Sequence, residues 1–292
     1  MSAVTMEILR HIMTAIACPQ NEGPVAPPLG PVCVGARVYD LALEEFKAAR
    51  GYWSPLWDDI LALDVDFFEA YMKLSSVPWR KGPLHPKVKE LIYIAIDAST
   101  THLYNAGTRI HMQNALKHGA TKHEILEVLQ LTSTLGIHSF SVGVPILIDE
   151  LRKTERENEL SGKLLDTRQH KLKAAFIEAR GYWASPWEEI LSQSPDYFEA
   201  YLEFSSVPWK TGSLEPKNKE LIYIAINAAT TKLFEPGIRV HVQNALKHGA
   251  TADEVMEVFQ LISVLGMHTM TESVPILLEA VRTAGKPATT SG

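Results

Sequence analysis

Apolar residues recur along this chain at helical spacing, and nowhere do they alternate with period two as a half-buried strand would. Phe67, Phe68, Tyr71, Met72 and Leu74 form one such stripe, and Ile125, Leu126, Val128, Leu129, Leu131 and Leu135 another. Leu41–Arg50 reads as a helix stopped by Gly51, and Thr108–His118 as one closed by Gly119. Lys87–Thr100 is apolar almost all round and follows Pro86, a residue suited to a first helical turn, so it predicts a buried central helix with Glu90 as its one acid near the start. Thr121 to Glu124 matches a capping box. His138–Arg152 predicts a further helix, bent or interrupted at Pro145. The expected fold class is all-α.

The pattern then repeats. Leu84–Leu147 and Leu214–Leu277 align without a gap and share 40 of 64 residues. This internal duplication divides the chain into an N-terminal arm with a proline-rich linker (1–38), a first repeat (39–152), a charged linker expected to be a solvated helix (153–170), a second repeat (171–283) and a small-residue tail expected to be disordered (284–292). In the arm, Val4–Ala17 could form a short helix, and Pro19 to Pro31 reads as extended. Two homologous halves are expected to pack about a pseudo-twofold axis.

Composition changes this picture little. A 292-residue chain has room for two ordinary domains. A net charge of -6 argues against a nucleic-acid partner. No run of about 18 apolar residues suggests a membrane span, and no signal peptide is read at the N-terminus, so a soluble cytoplasmic protein is expected. Cys18 and Cys33 both lie outside the repeats and do not suggest a disulfide framework.

Several ionisable residues recur in both copies: Glu90/Glu220, His111/His241, His118/His248, Glu127/Glu257, His138/His268 and Arg109/Arg239. His85, His102 and His123 become Glu215, Lys232 and Asp253, which suggests surface positions. An imidazole facing a buried carboxylate can donate and accept a proton near neutral pH, so Glu90–His111 and Glu220–His241 are candidate acid/base pairs. The same pairs could equally serve only to lock two helices. His118 suits a helix C-terminus. Glu127 suggests a helix-surface or inter-subunit salt bridge, and Arg109 an ion pair between helices. His138 and His268 face either pocket or core. The Trp53/Trp183, Trp57/Trp187 and Trp79/Trp209 pairs suit packing, with Trp79 and Trp209 also candidates for a pocket mouth. No metal-binding spacing is present, and neither a metal nor another cofactor is expected.

Glu90-Leu91-Ile92, followed by His111, Asn114-Ala115-Leu116, Gly119-Ala120-Thr121, Glu124-Ile125 and Glu127-Val128, resembles the carboxymuconolactone decarboxylase family, which includes AhpD-type alkylhydroperoxidases. The second copy matches at Glu220, His241, Asn244, Ala245, Leu246, Gly249, Thr251, Glu254 and Glu257. The resemblance implies an AhpD-like helical unit and a homo-oligomer, a trimer of two-repeat chains. The peroxidase branch carries a CxxC pair before the histidine; here those positions are Tyr104 and Gly107, and Phe234 and Gly237. Without a thiol, thiol–disulfide exchange has no nucleophile. The resemblance then implies a cofactor-independent lyase or isomerase for a small carboxylated or lactone-like metabolite. His111 and His241 would act as acid/base, Glu90 and Glu220 would orient them, and Tyr104, Phe234, Trp79, Trp209, His138 and His268 would line the substrate site. The alternative is a non-catalytic, oligomeric small-molecule-binding protein of the same fold.

Overall fold

The computed structural model describes residues 36–160 and 164–284, and among these no strand occurs. The arm before residue 36, with Cys18 and Cys33, and the tail after Ala284 lie outside the described residues. The helices are α1 (Ala36–Arg50), α2 (Asp58–Leu63), α3 (Val65–Ser75), α4 (Val77–Lys81), α5 (Pro86–Asp97), α6 (Asn105–Lys117), α7 (Lys122–Ser133) and α8 (Ile137–Lys153). They continue with α9 (Thr167–Arg180), α10 (Ser185–Gln193), α11 (Pro195–Thr211), α12 (Pro216–Ala228), α13 (Glu235–Lys247), α14 (Ala252–Ser263) and α15 (His268–Ala284).

Local chemistry sets the helix ends. Pro86 and Pro216 each occupy a first turn, where the missing N–H costs no hydrogen bond. Both capping boxes form: Thr121 Oγ1 accepts from Glu124 N while Glu124 Oε2 accepts from Thr121 N, and Thr251 and Glu254 do the same. Gly119 and Gly249 adopt φ of 83° and 85°, where a side chain would be strained. Two details depart from the sequence reading. Helix α5 ends at Asp97, short of Thr100, and α8 runs unbroken through Pro145. The linker is not one helix: its described residues hold a 3-10 turn at Glu157–Glu159 before α9 begins at Thr167.

The chain packs as two units whose limits cut across the repeats. One comprises residues 83–263, the other residues 1–82 with 264–292. In the first of these, α5 and α12, the matching helices of the two repeats, pack against each other. Val88 to Asp97 and Lys219 to Asn227 are buried without a break, as their all-round apolar pattern requires.

Each repeat lends its last helix to the other. Ile137 of α8, from the first repeat, joins Leu172, Phe176, Trp187, Ile190, Leu191, Phe198 and Leu202 of the second in one core cluster. In the other unit, Met267 and Val274, from the end of the second repeat, pack with Phe46, Trp57, Ile60, Leu61 and Phe68 of the first. The two cores are therefore built by exchange.

Glu127 and Glu257 are not surface groups. Lys219 Nζ lies 2.8 Å from Glu127 Oε1 and donates to Pro208 O at 2.6 Å, and all of these groups are shielded from water. Glu127 Oε2 also accepts from the backbone N–H groups of Ser213 and Leu214 at 2.7 and 2.9 Å. Gly212 carries no Cβ, which would collide with this carboxylate. The reciprocal pair is Lys89–Glu257 at 2.7 Å, with Leu84 N donating to Glu257 at 2.6 Å. Both ion pairs join the repeats within one chain, which corrects the expected surface or inter-subunit role. A buried pair suits this place because backbone N–H groups hold the carboxylate oxygen Oε2 while Oε1 faces the ammonium.

The helical runs Lys122–Lys153 and Ala252–Thr283 are long and apolar enough to cross a membrane by composition, contrary to the sequence reading. Each passes through a 3-10 turn and carries one of these buried, ion-paired glutamates. The buried, ion-paired glutamate places the first helix of each run, α7 or α14, in the core.

Candidate active site

Helix α12 places Glu220, Tyr223 and Asn227 on one face, at spacings of three and four residues. Helix α13 brings His241 and Asn244 against them. Nδ1 of His241 lies 2.6 Å from Glu220 Oε2, and Asn244 Nδ2 donates to Glu220 Oε1 at 3.3 Å. With its proton on Nδ1 held by the carboxylate, the imidazole keeps Nε2 for the cavity that it lines. Tyr223 stacks on the His241 ring at 4.5 Å and 22°, and Trp209 stacks on Tyr223 at 6.4 Å and 13°.

The cavity encloses about 50 Å³, and both repeats line it. The first supplies Thr134, Leu135, Ile137 and His138; the second supplies Arg180, Tyr182, Tyr201 and Trp209 besides the α12 and α13 residues. His138 stacks on Phe234 at 4.2 Å. Burial pushes its pKa down to about 3, helped by the charges of Lys232 and His241, so its ring is neutral at ordinary pH. Burial likewise pulls Lys232 down to about 8. Lys232 is half-buried, as is His102 in the first repeat, so this pair is less exposed than expected. Removal from bulk water raises the phenol pKa values of Tyr182, Tyr201 and Tyr223, opposed in each case by the nearby Arg180 charge. All three stay protonated donors at neutral pH.

The matching groups of the first repeat show the same pair in a different setting. His111 Nδ1 lies 2.6 Å from Glu90 Oε2, and Tyr93 stacks on His111 at 4.5 Å and 24°. Here Asp97 stands where the second repeat has Asn227, with Oδ2 3.9 Å from His111 Nε2. Burial, reinforced by the Glu90 charge and opposed by His111, raises Asp97 to about 7. Tyr104 precedes α6, donates its backbone N–H to Asp97 O at 2.8 Å and lies beside His102. Trp79 lies under the Arg50 guanidinium at 5.1 Å, and His268 opens α15.

The structure thus gathers His241, Glu220, His138 and Trp209 around one cavity, with His138 coming from the other repeat and Phe234 stacked behind it. Arg239 is exposed and pairs with Glu235 one turn away on its own helix, so the expected bond between helices is not formed there. Sequence reasoning missed Arg180, Tyr182, Tyr201, Tyr223 and Asn227. A signal existed: Arg180-Gly181-Tyr182-Trp183 repeats Arg50-Gly51-Tyr52-Trp53, and Tyr223 repeats Tyr93. Around His241, the described residues offer no set of three imidazole or carboxylate ligands that could hold a metal ion.

Phe234 and Gly237 stand at the two thiol positions of the peroxidase branch. A Cβ on Gly237 would lie 2.5 Å from Asn227 Oδ1 and 2.8 Å from Phe234 Cδ1. The site therefore lacks space as well as sulfur there.

Fold and site together define a duplicated all-helical protein that presents a glutamate-backed histidine to a small cavity. The chain belongs to the carboxymuconolactone decarboxylase family, whose model matches residues 66–136 and 195–277. It is similar in structure to a protein of Burkholderia xenovorans LB400 provisionally named a gamma-carboxymuconolactone decarboxylase subunit. The TM-score is 0.80 and the identity 42%, over 89% of this chain and 100% of that one. No curated protein matches the chain.

Proposed function

We propose that this protein is a cofactor-independent lyase or isomerase acting on a small carboxylated or lactone-like metabolite through His/Glu acid–base chemistry. The observation that carries the reading is the 2.6 Å bond between His241 Nδ1 and Glu220 Oε2 on the wall of a cavity. The carboxylate fixes the tautomer and orientation of the ring and leaves Nε2 to face the cavity, as a general acid/base requires. In a decarboxylation, the bond to the carboxylate carbon breaks and its electron pair passes into an extended enolate as carbon dioxide leaves. The imidazolium Nε2–H then protonates the carbanionic carbon and is recharged from solvent. In an isomerisation, neutral Nε2 removes a proton from one carbon and returns it to another. The Tyr182, Tyr201 and Tyr223 hydroxyls and the Arg180 charge supply a positive environment for the developing enolate.

A non-catalytic binding role is the second reading, and the size of the cavity bears on both readings alike. The enclosed volume is about 50 Å³, against roughly 300 Å³ or more for ordinary ligand pockets. One experiment separates the two readings: a decarboxylation and isomerisation screen of wild type against the double variant His111→Gln, His241→Gln. Turnover that falls by roughly 100-fold or more in the variant supports the enzyme. Turnover unchanged by the variant sinks the acid/base assignment, and no turnover of any candidate favours the binding protein.

A further inference from the structure

The strongest unexplained group near the cavity is Arg180. It is the last residue of α9, half-buried, and no carboxylate pairs with it among the described residues. Its guanidinium carbon lies 5.6 Å from the centre of the Trp209 ring. The contrast with Lys219 is informative. That ammonium lies 5.3 Å from the centre of the same ring, but it is paired with the Glu127 carboxylate and donates to the Pro208 carbonyl. Trp209 is thus flanked by one cation that the protein neutralises and one that it leaves open.

The open cation has a specific setting. From Arg180 the groups follow in a stack, Trp209, then Tyr223, then His241, so two aromatic rings separate the guanidinium from the imidazole. Glu220 is the one carboxylate on the cavity wall, and His241 already engages it. Lys232 and His138 add no negative charge. A planar guanidinium fork matches the two oxygens of a carboxylate better than a point charge does. A partly desolvated cation beside protonated phenols holds such an anion more strongly than one in open water.

We propose that Arg180, with Trp209 and the Tyr182 and Tyr201 hydroxyls, forms a carboxylate-binding subsite that anchors the acid end of a small, flat, unsaturated carboxylate in the cavity that His241 also lines. This inference rests on the functional reading above, because it takes the same cavity as the substrate site. The cavity of about 50 Å³ admits a carboxylate group but not a whole ring, so the half-exposed Arg180 side chain moves as the ligand enters.

Binding is the appropriate readout, with crotonate as the flat carboxylate and crotonamide as its neutral counterpart. The six tryptophans can be labelled with 5-fluorotryptophan and the Trp209 fluorine resonance assigned through Trp209→Phe. At low ionic strength, crotonate should shift the Trp209 signal in a saturable way at millimolar concentration, and crotonamide should bind at least 10-fold more weakly. Arg180→Gln should weaken crotonate at least 10-fold. Arg180→Lys, which keeps the charge and protects the test if Arg180→Gln fails to fold, should weaken it about threefold, since it loses only the fork. His241→Gln should retain the shift. An unchanged affinity in both Arg180 variants, an equal response to crotonamide, or no Trp209 shift up to 50 mM crotonate would each overturn the subsite. Loss of turnover in His241→Gln tests the acid/base reading separately, so either can fail without the other.

Discussion

The Nε2 of His111 lies 3.9 Å from Oδ2 of Asp97, while its Nδ1 is held by Glu90 at 2.6 Å. This imidazole therefore sits between two carboxyl groups. Its twin His241 sees a carboxylate only through Nδ1, because Asn227 replaces Asp97. The two halves carry the same acid/base pair but differ in the group that faces its Nε2 side, so they are not chemically equivalent.

Asp97→Asn should stabilise the protein at alkaline pH. The folded state raises this carboxyl from 3.8 to about 7. An acid raised in the fold is penalised as pH rises between those two values, and the penalty is complete above the folded one. The amide removes it, and in the second repeat Asn227 Nδ2 donates to Tyr223 O at 2.8 Å, a bond open to the variant at Tyr93. The variant should gain on the order of 1–4 kcal/mol at pH 8.5 and little at pH 4. Thermal melts at the two pH values check this; an equal shift at both would contradict it.

His138→Gln should lessen acid sensitivity. Burial lowers the folded pKa of His138 from 6.5 to about 3, with the Lys232 and His241 charges adding to the effect. A depressed histidine costs stability as pH falls below the unfolded value, because the unfolded chain takes up the proton first. Between pH 7 and pH 4 the variant should lose roughly 1–3 kcal/mol less than wild type. Urea titrations at pH 7 and pH 4 measure the difference.

Glu127→Ala should be among the most damaging single changes. It strands the buried Lys219 ammonium and two backbone N–H groups of Ser213 and Leu214. Breaking a buried ion pair from one side costs about 3–5 kcal/mol. Denaturant unfolding should show that loss, whereas removing the exposed Glu235 partner of Arg239 should cost less than about 1 kcal/mol.

Gly237→Ala tests the crowding at the position where the peroxidase branch carries a thiol. Its methyl group would press on Asn227 and Phe234, next to the ring that stacks on His138. Overpacking of this kind costs about 1–3 kcal/mol. A melting temperature equal to wild type would show that Asn227 yields freely.

The sequence by itself determined the helices, their caps, the duplication and the two Glu–His pairs. These follow from short-range rules: helical periodicity, the Thr121–Glu124 box, the glycine stops, and an acid isolated in an apolar helix. Its reading of Glu127 as a surface group went wrong because one acid on a stripe does not reveal that Ser213 and Lys219 approach it from the other repeat. Arg180, Tyr182 and Tyr201 were visible only as repeated letters, since they reach the cavity from helices distant in sequence. Only the tertiary structure decided that α8 packs on the second repeat's helices and α15 on the first's, placing His138 beside Phe234. The physical reason lies in the duplication itself. An apolar face specifies that it must be covered, but two homologous repeats offer nearly identical covers, and only three-dimensional packing chooses between them.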